Sequence, residues 1–443
     1  MKLRSTLLIL ASVVAVGTTD LFAGSIDYLS NQSADYTRTF SRNASTDGDS
    51  VLYNPAGTAF MKEGIYVYGA NQFVFKNYEN DLNTPTFSKK YKTDEPTLLL
   101  PSGTAIYKAK DWAAFLGGSV VAGGGKVVYD SGIPTFVGYP NSVIAGLVAK
   151  GQNQALANGA VNNFLGQFSG DGKLTATSCY PAFVLGGSYA FADMVSVSLS
   201  GRFVDATKTY KGYAVYSKAG RLNLDAEEKA QGFGGIIGVD LKPIQGLLIA
   251  ARYETKTKLN FKTTINDGKD FEWKLGTTTV RSFFIDGEKR RKDLPAMLAL
   301  GTSYTIEKLT VTASYEYFFI KQADQDKDTP PNGSLYDNGY NDHYKNGWEG
   351  SVSIEYAVIP EFLKLSIGGM YDKVGGNKNT YNDFDFSLDS KSIGAGGRIT
   401  PIKNFDVIFG VSHTFYKSAK DLTGSTTFKK QATVVAIGGE YKI

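Results

Sequence analysis

Three basic side chains have the clearest potential for binding chemistry in this sequence: Arg202, Lys208 and Arg252. Each lies on the polar side of a segment in which polar and apolar residues alternate. A guanidinium group can hold a planar carboxylate through two parallel hydrogen bonds. Arg202 and Arg252 are therefore candidate partners of an acidic headgroup. The alternative is that the charges of this face, which also include Glu254, Glu316 and Glu355, pair with one another and with the N-terminal segment 24–61, and only hold the structure together.

Residues suited to catalysis or to metal binding are scarce. The chain has two histidines, His343 and His413, and one cysteine, Cys179, so it offers no His and Cys set for zinc. The acidic run 324–328 lacks the glycine and the distal glutamate of a calcium loop. No G-x-S-x-G nucleophile elbow stands out. The sequence therefore predicts neither an enzyme nor a metal or cofactor site.

The segments that carry the basic residues show a strict period of two. Over 195–203, Val and Leu alternate with three serines and Arg202. Segments 247–258 and 435–443 repeat this alternation. Such a period predicts strands of a β-sheet with one apolar face.

Short turns alternate along the chain with longer polar connections. The turns lie near 110–111, 192–193, 242–246, 307–308, 359–361 and 401–404, and the connections near 77–97, 123–178, 214–231, 266–291, 323–346, 374–385 and 418–428. This alternation predicts an all-β fold over 62–443, a transmembrane antiparallel β-barrel of about 14 strands with both ends on the short-turn side. A soluble β-sandwich seldom shows such an asymmetry of loop length.

Residues 1–23 have the features of a signal peptide. Lys2 and Arg4 precede an apolar run over 7–16, and Gly24 follows the expected cleavage site. The alternative, a single-span anchor, is disfavoured because a spanning helix needs roughly 18 to 20 apolar residues. No cysteine lies in this region, which excludes a lipoprotein anchor.

The composition agrees with an exported barrel. The chain has 49 Gly, 27 Tyr and 27 Phe, with a mean hydropathy of -0.18. Barrels bury their apolar face in alternation, so their overall hydropathy is that of a soluble protein. The net charge of +4 argues against nucleic acid as the main partner. A single cysteine leaves no intrachain disulfide.

A turn motif follows the leader in the segment 47–57. Its last four residues are Asn54, Pro55, Ala56 and Gly57, reached through Ser-x-x-Tyr. The motif and its early position resemble the FadL family of outer-membrane transporters, which carry long-chain fatty acids and, in some relatives, aromatic hydrocarbons. In that family the segment belongs to a plug, or hatch, inside the barrel. The resemblance implies such an N-terminal plug over 24–61.

The resemblance extends along most of the chain after the leader. It includes the segments 231–239 and 251–258, the Asp-Leu-Pro sequence at 293–295, and Trp348. One departure lies at 36–42, where this chain replaces the family's glycine-rich approach to the plug motif. The resemblance implies a protein of the cell outer membrane that is surrounded by outer-membrane lipids, inserted by the barrel assembly machinery, monomeric and free of cofactors.

The residues of 24–61 also favour a plug on physical grounds. The segment is polar and irregular; Pro55 fixes one backbone angle and Gly57 permits conformations closed to other residues. A barrel of this size would leave an open channel unless something fills it. The alternative is a disordered N-terminal tail in the periplasm.

The connection 123–178 contains apolar residues at spacings of three and four. They predict an amphipathic helix, or a pair of helices, at about 140–170. The apolar face includes Leu147, Phe164 and Phe168. It could pack over the barrel mouth, or form a groove for an amphipathic ligand as the resemblance implies. Both can hold together.

Three consecutive glycines, Gly123, Gly124 and Gly125, stand where the third strand leaves the wall. A phosphate loop is excluded because the G-x-x-x-x-G-K-[ST] pattern fails after Lys126. Glycine within a strand marks a bend or a bulge. In the FadL family an inward kink of the third strand opens the wall sideways, so the resemblance implies a lateral opening here. The glycines could equally begin the loop.

Three functions remain from the sequence. The resemblance favours an outer-membrane transporter for long-chain fatty acids or similar hydrophobic molecules, working by passive, plug-gated diffusion with lateral exit. A general diffusion porin would need the N-terminal segment outside the lumen. A surface adhesin or structural barrel would use the long loops to bind host or neighbouring molecules.

Overall fold

The computed structural model describes residues 32–149, 151–267, 273–280, 284, 286–324, 344–383 and 386–443. The predicted signal peptide and residues 24–31 of the predicted plug lie outside the described residues. The strands are β1 Gly64–Asn83, β2 Ser88–Thr93, β3 Thr97–Lys108, β4 Trp112–Tyr129, β5 Phe168–Phe191, β6 Val195–Tyr216, β7 Gly220–Ile244, β8 Leu247–Glu254, β9 Asn260–Asp267, β10 Trp273–Leu275, β11 Thr278–Val280, β12 Lys289–Arg291, β13 Met297–Ile306, β14 Leu309–Phe318, β15 Gly347–Ile359, β16 Leu363–Lys373, β17 Ser390–Ile402, β18 Phe405–Tyr416, β19 Ala419–Lys420 and β20 Thr426–Lys442.

Apart from β10 and β11, which form a separate two-stranded sheet, these strands close into an antiparallel barrel of 14 strands. The barrel closes where β1 pairs with β20 from Tyr66↔Lys442 to Leu82↔Thr426. Some barrel strands are interrupted, so that β2 and β3 together pair with β1, and β8 and β9 together pair with β7. The predicted all-β barrel is confirmed. None of the described helices is long and apolar enough to cross a membrane.

The two faces of the wall differ in polarity as the alternation predicts. Along β6, Ser196 and Ser198 are buried, whereas Leu199 is 71% exposed. On the neighbouring strand Phe233 is 76% exposed. Polar side chains therefore point into the lumen and apolar side chains point outward, which suits a wall that faces lipid.

Two of the predicted long connections are mainly strand. Within 77–97, β1 continues to Asn83 and β2 occupies Ser88–Thr93; within 214–231, β7 begins at Gly220. Their polar character reflects position rather than irregularity. Paired strands that extend beyond an apolar band keep the backbone ladder but need no apolar side chains.

The connection between β4 and β5 forms two helices, Pro134–Ala149 and Gln154–Phe164. Pro134 begins the first helix, where its missing N–H costs nothing, and the Asn153 side chain accepts from Ala155 N and Leu156 N to cap the second. The helices pack on the strand extensions at one end of the barrel. We call their shared core the mouth cluster; it contains Leu82, Tyr91, Tyr129, Ile133, Phe136, Tyr139, Val143, Leu147, Val161, Leu165, Leu174, Tyr216, Leu222 and Leu224.

A buried carboxylate joins the first of these helices to another loop. Asp383, between β16 and β17, accepts hydrogen bonds from Thr135 N at 2.7 Å and from Thr135 Oγ1 at 2.6 Å. Burial raises the pKa of Asp383 to about 6, although the hydrogen bonds from Thr135 act to lower it. This contact holds two loops together over the mouth.

The pH dependence of this contact follows from the raised pKa. Because the folded pKa lies above the unfolded value of 3.8, docking of the loop is strongest below that value and weakens as the pH rises through about 6. We predict that Asp383→Asn, which keeps an acceptor but no charge, protects residues 134–149 from hydrogen exchange about tenfold more than the wild type at pH 7.5. The two proteins should exchange alike at pH 4. Lower protection in the variant at pH 7.5 would contradict this.

Candidate functional site

The N-terminal segment 32–61 lies inside the barrel, and we call these residues the plug. It begins with the short helix Ala34–Thr39, whose N-cap Ser33 accepts from Tyr36 N at 2.9 Å. Its hydrogen bonds reach opposite parts of the wall. The backbone N–H of Ala34 donates to the Tyr68 hydroxyl of β1 at 2.9 Å, and the Tyr36 hydroxyl donates to Glu349 of β15 at 2.8 Å.

Buried ion pairs join the plug to the wall. In the plug, Arg38 pairs with Asp35 at 2.6 Å. From β17, Arg398 reaches the same Asp35 at 3.1 Å. Arg398 also pairs with the wall residues Asp406 at 2.9 Å and Glu440 at 3.3 Å. We call this set the plug latch, because it couples a lumen segment to three neighbouring strands.

The plug latch fixes the charge of its central carboxylate. Burial acts to raise the pKa of Asp35, but Arg398 and then Arg38 outweigh it and lower this pKa to about 2. Asp35 is therefore ionised at any ordinary pH. Within the plug, Arg42 adds pairs to Asp47 and Asp49, each at 2.6 Å.

The plug motif docks on the opposite side of the lumen. Asn54 donates to Asp240 Oδ1 of β7 at 2.7 Å, and its own side-chain oxygen accepts from Ala56 N at 3.3 Å, which caps the 3-10 helix Pro55–Phe60. Ser196 of β6 donates to the Ala56 carbonyl at 2.8 Å. The motif therefore packs as a tight turn against β6 and β7.

Two glycines allow this close approach. A Cβ added to Gly57 would overlap the carbonyl oxygen of Ser45, and one added to Gly238 would overlap the Asn54 side chain. The first glycine lets the plug fold on itself and the second lets the motif touch the wall. Any larger residue at these positions must displace backbone or the capping asparagine.

A cavity lies between the plug helix and the wall at Gly123 and Gly125, and we call it the kink cavity. Plug residues Tyr36, Thr37 and Phe40 form one side of it. Its remaining lining comes from β1, β3, β4, β16, β18 and β20 and includes Gln72, Val74, Lys76, Tyr78, Thr97, Leu100, Met370, Ser412, Thr414, Tyr416, Ala432 and Val434. Aromatic and aliphatic surface therefore surrounds a few polar groups, which is typical of ligand sites.

The wall is discontinuous beside this cavity. The pairing of β3 with β4 runs from Lys108↔Ala113 to Gly103↔Gly118, and the described ladder does not join 97–102 to 119–126. The pairing of β4 with β5 shifts register around Ala122. The strand is bent there, since Gly123 has φ 106° and Gly125 has φ 70°. The predicted glycine run thus lies at a break in the wall, with Gly124 at its centre.

Of the predicted headgroup residues, Arg202 lines a second cavity together with Glu254, and we call it the arginine cavity. Arg202 forms an ion pair with Glu254, and Arg252 lies 3.4 Å from the same carboxylate. Arg252 also donates to the carbonyl of Leu52 in the plug at 3.1 Å. The Nε atoms of both arginines are buried without a hydrogen-bond partner among the described residues. The Glu254 carboxylate thus interacts with both guanidinium groups. The ion pairing that was expected as the alternative to ligand binding is therefore present.

The remaining predicted ligand residues are dispersed. Lys208 faces Glu228 at 3.9 Å and the ring of Phe261 at 4.7 Å. Leu147 is buried in the mouth cluster, and Phe168 packs against the same cluster. Phe164 is 66% exposed. Packing over the mouth, one of the two roles expected for the helices, is what the structure shows; contact with a ligand stays a prediction.

Sequence reasoning missed Lys76 and Arg398. The signal for Lys76 was present, because residues 66–76 alternate and place it on the lumen side with Tyr68 and Gln72. Arg398 follows a glycine-rich stretch in which polar and apolar residues hardly alternate. Only the fold therefore shows that Arg398 faces the plug. No cluster of three metal-binding side chains occurs in the part of the chain that the structure describes.

The fold and its interior define a class of protein, the closed 14-strand barrel with an internal plug. No family model matches the chain, and no curated protein matches it. Solved structures do: a FadL homologue of Pseudomonas aeruginosa has a TM-score of 0.65 at 15% identity, covering 96% of this chain and 99% of that chain.

Two further solved structures have the same fold. The Pseudomonas putida toluene transporter TodX has a TM-score of 0.59 at 13% identity and covers 95% of this chain and 99% of that one. The Ralstonia pickettii toluene transporter TbuX has a TM-score of 0.56 at 14% identity and covers 89% and 94%. These likenesses confirm the fold that the resemblance implied.

The plug latch predicts how the plug is held. We expect Arg398→Gln to destabilise plug docking by about 3 kcal/mol, because it removes the cation that buried Asp35 and Glu440 share, although Asp35 keeps Arg38. Hydrogen exchange of residues 34–39 should become faster, and the ion conductance in planar bilayers should fluctuate between levels. Lowering the pH should partly reverse this, since Asp35 can then take up a proton. Lys211→Met, which removes an exposed partner of Asp225, is the control; unchanged exchange in Arg398→Gln would refute the latch.

Proposed function

We propose that this protein is an outer-membrane transporter that takes up hydrophobic small molecules. The observation that carries the proposal is the kink cavity, an apolar space between an internal plug and a break in the barrel wall. The toluene transporters and the FadL homologue with the same fold support it. In the proposed setting the barrel is a monomer in outer-membrane lipids, inserted by the barrel assembly machinery.

The proposed cargo is a long-chain fatty acid or a similar hydrophobic molecule. The lining of the kink cavity suits an alkyl chain, and a carboxylate in a dry lumen needs a cation or hydrogen-bond donors. Arg202 and Arg252 are candidate partners for such a headgroup, because their two positive charges share one negative charge, that of Glu254. Leu147, Phe164 and Phe168 are candidates for an earlier contact at the mouth.

The proposed route is passive diffusion, gated by the plug and ending in lateral exit. Burying one methylene group is worth roughly 0.8 kcal/mol, so an alkyl chain gains little by entering the aqueous periplasm. An exit through the break at Gly123, Gly124 and Gly125 would keep the chain in apolar surroundings. Leu98 and Leu99, on the strand beside this break, are both exposed, which supports the route.

The plug separates this function from that of a general diffusion porin. We predict that deletion of residues 24–61 raises ion conductance in planar bilayers sharply, because a barrel of this size is wide enough for a channel once it is empty. Wild-type protein in liposomes should not admit sucrose. Heat-modifiable migration on gels checks that the truncated barrel folds. If the truncated barrel does not fold, Arg398→Gln, which should loosen the plug without removing it, replaces the deletion.

The alternatives give other results. Equal, porin-like conductance with and without the segment would favour the porin. An adhesin or structural barrel would bind no hydrophobic probe, whatever its conductance.

The glycine break predicts an exit-specific defect. We expect Gly123→Val with Gly125→Val to reduce uptake of a labelled fatty acid several-fold at equal expression. A Cβ at Gly123 would lie 2.5 Å from the Ser178 carbonyl oxygen, and one at Gly125 would overlap Thr97, so the bend must change. Gly201→Val is the matched control, since a Cβ at Gly201 meets no atom within 4 Å. Unchanged uptake in the double variant would place the exit elsewhere.

A further inference from the structure

We propose that three neighbouring lysines on the outer face of the barrel bind the phosphate groups of an outer-leaflet glycolipid. These residues, which we call the lysine row, are Lys229 on β7, Lys262 on β9 and Lys289 on β12. The partner is of the lipid A type, an acylated disaccharide with a phosphate at each end. The inference uses the proposed outer-membrane setting but neither the cargo nor its route, so it goes beyond the proposed function.

The register of the sheet places the three lysines directly beside one another. Lys229 pairs with Lys262, and Lys262 pairs in turn with Lys289. The residues on either side of Lys229, Glu228 and Ala230, are buried on the lumen side. Lys229 therefore points outward, and Lys262 and Lys289 are exposed in the same alternation. The row is thus a line of ammonium groups across three adjacent strands.

Such a row is unfavourable for the protein alone. Like charges directly opposite each other on neighbouring strands destabilise a sheet. Glu227 pairs with Lys229 at 2.6 Å. Lys262 and Lys289 form no ion pair with a carboxylate in the part of the chain that the structure describes. An external anion that contacts the row would relieve this repulsion.

Exposed lysines elsewhere at the same end of the barrel are neutralised within the chain. Lys92 and Lys429 pair with Glu79 at 3.0 Å and 2.8 Å, and Lys90 lies 3.5 Å from the same carboxylate. Lys429 also lies 3.4 Å from Asp81. The excess of positive charge at the lysine row is therefore not a general property of this rim.

The height of the row in the membrane suits a headgroup. Below it on the outer face of β7 lies the exposed Phe233, whose ring centre is 5.0 Å from that of Phe203. Exposed aromatic side chains mark the edges of the lipid-facing band of a barrel. Lys229 lies roughly 13 Å further along the strand, which at the usual tilt is about 10 Å in height. It lies toward the long connections, which face the cell exterior in such barrels.

The width of the row favours a headgroup with two phosphates. Adjacent strands are about 4.8 Å apart, so the row spans about 10 Å. One phosphate can contact two neighbouring lysines, whereas phosphates at both ends of a disaccharide can engage the whole row. Phosphatidylglycerol has one phosphate with a single charge and matches the row less well. Each lysine near an anionic lipid surface adds to the attraction.

Lipid binding to the purified full-length protein in neutral detergent tests the proposal. The probes are lipid A with two phosphates, dephosphorylated lipid A and phosphatidylglycerol, and native mass spectrometry measures their binding. We expect Lys229→Gln combined with Lys262→Gln and Lys289→Gln to weaken lipid A binding about ten- to a hundredfold. Wild-type affinity should fall as salt is added, because the contact is exposed to solvent. Dephosphorylated lipid A should bind weakly to the wild type and to this row variant alike.

The chain offers a matched control. Lys90→Gln combined with Lys92→Gln and Lys429→Gln removes the same number of exposed lysines from the same end of the barrel, and should leave lipid A affinity within about twofold. Without lipid, the row variant should be at least as resistant to heat as the wild type, because like-charge repulsion is removed. A purely structural role would lower its resistance. Lys262→Gln alone, at the centre of the row, should weaken lipid A several-fold.

The outcomes separate this inference from the proposed function. Equal lipid A affinity in the row variant and the wild type would overturn the inference, as would an equal loss in the control. Equally tight binding of phosphatidylglycerol or of dephosphorylated lipid A by the wild type would contradict the assigned partner. The row variant should take up a labelled fatty acid at the wild-type rate, because the row lies outside both cavities. Absence of uptake by the wild type would refute the proposed function and leave the lipid A result in place.

Discussion

Buried charge between the plug and the wall is the interaction on which the arrangement of the lumen depends. Arg398 reaches from β17 to Asp35 in the plug and to Glu440 on β20, so one guanidinium joins three parts of the molecule. Such pairs add little net stability when compared with apolar packing, but losing one partner is costly. They therefore fix where the plug sits more than how stable the barrel is, and both cavities exist only because the plug sits there.

The barrel itself could be predicted from local pattern. Period-two alternation and short turns depend on neighbouring residues alone, so strand number and lumen-facing residues such as Arg202 and Glu254 were predictable. Strand length was not. The extensions of β1 and β7 place Leu82, Leu222 and Leu224 in the mouth cluster but are otherwise rich in polar residues, and backbone pairing holds them in the sheet. Their polar composition therefore led to the prediction of loops at these positions.

The candidate site was predictable only in part. The plug motif and the glycine run were visible, since Gly57 and Gly123 are needed for close approach and for a bend. Pairing of the lumen charges with one another and with the plug was the expected alternative to ligand binding, and Arg202 with Glu254 and Arg252 with the Leu52 carbonyl show such contacts. The role of 36–42 was hidden: this segment includes Arg38 and Arg42, which provide the plug with buried cations.

Cys179 adds a practical consequence to the break in the wall. It is the only cysteine in the chain, its side chain is exposed, and it follows Ser178, whose carbonyl faces Gly123. A spin label or a small fluorophore attached through this thiol would sit beside the bend of β4 without prior removal of any other cysteine. The natural sequence thus contains its own attachment point for spectroscopy of the bend.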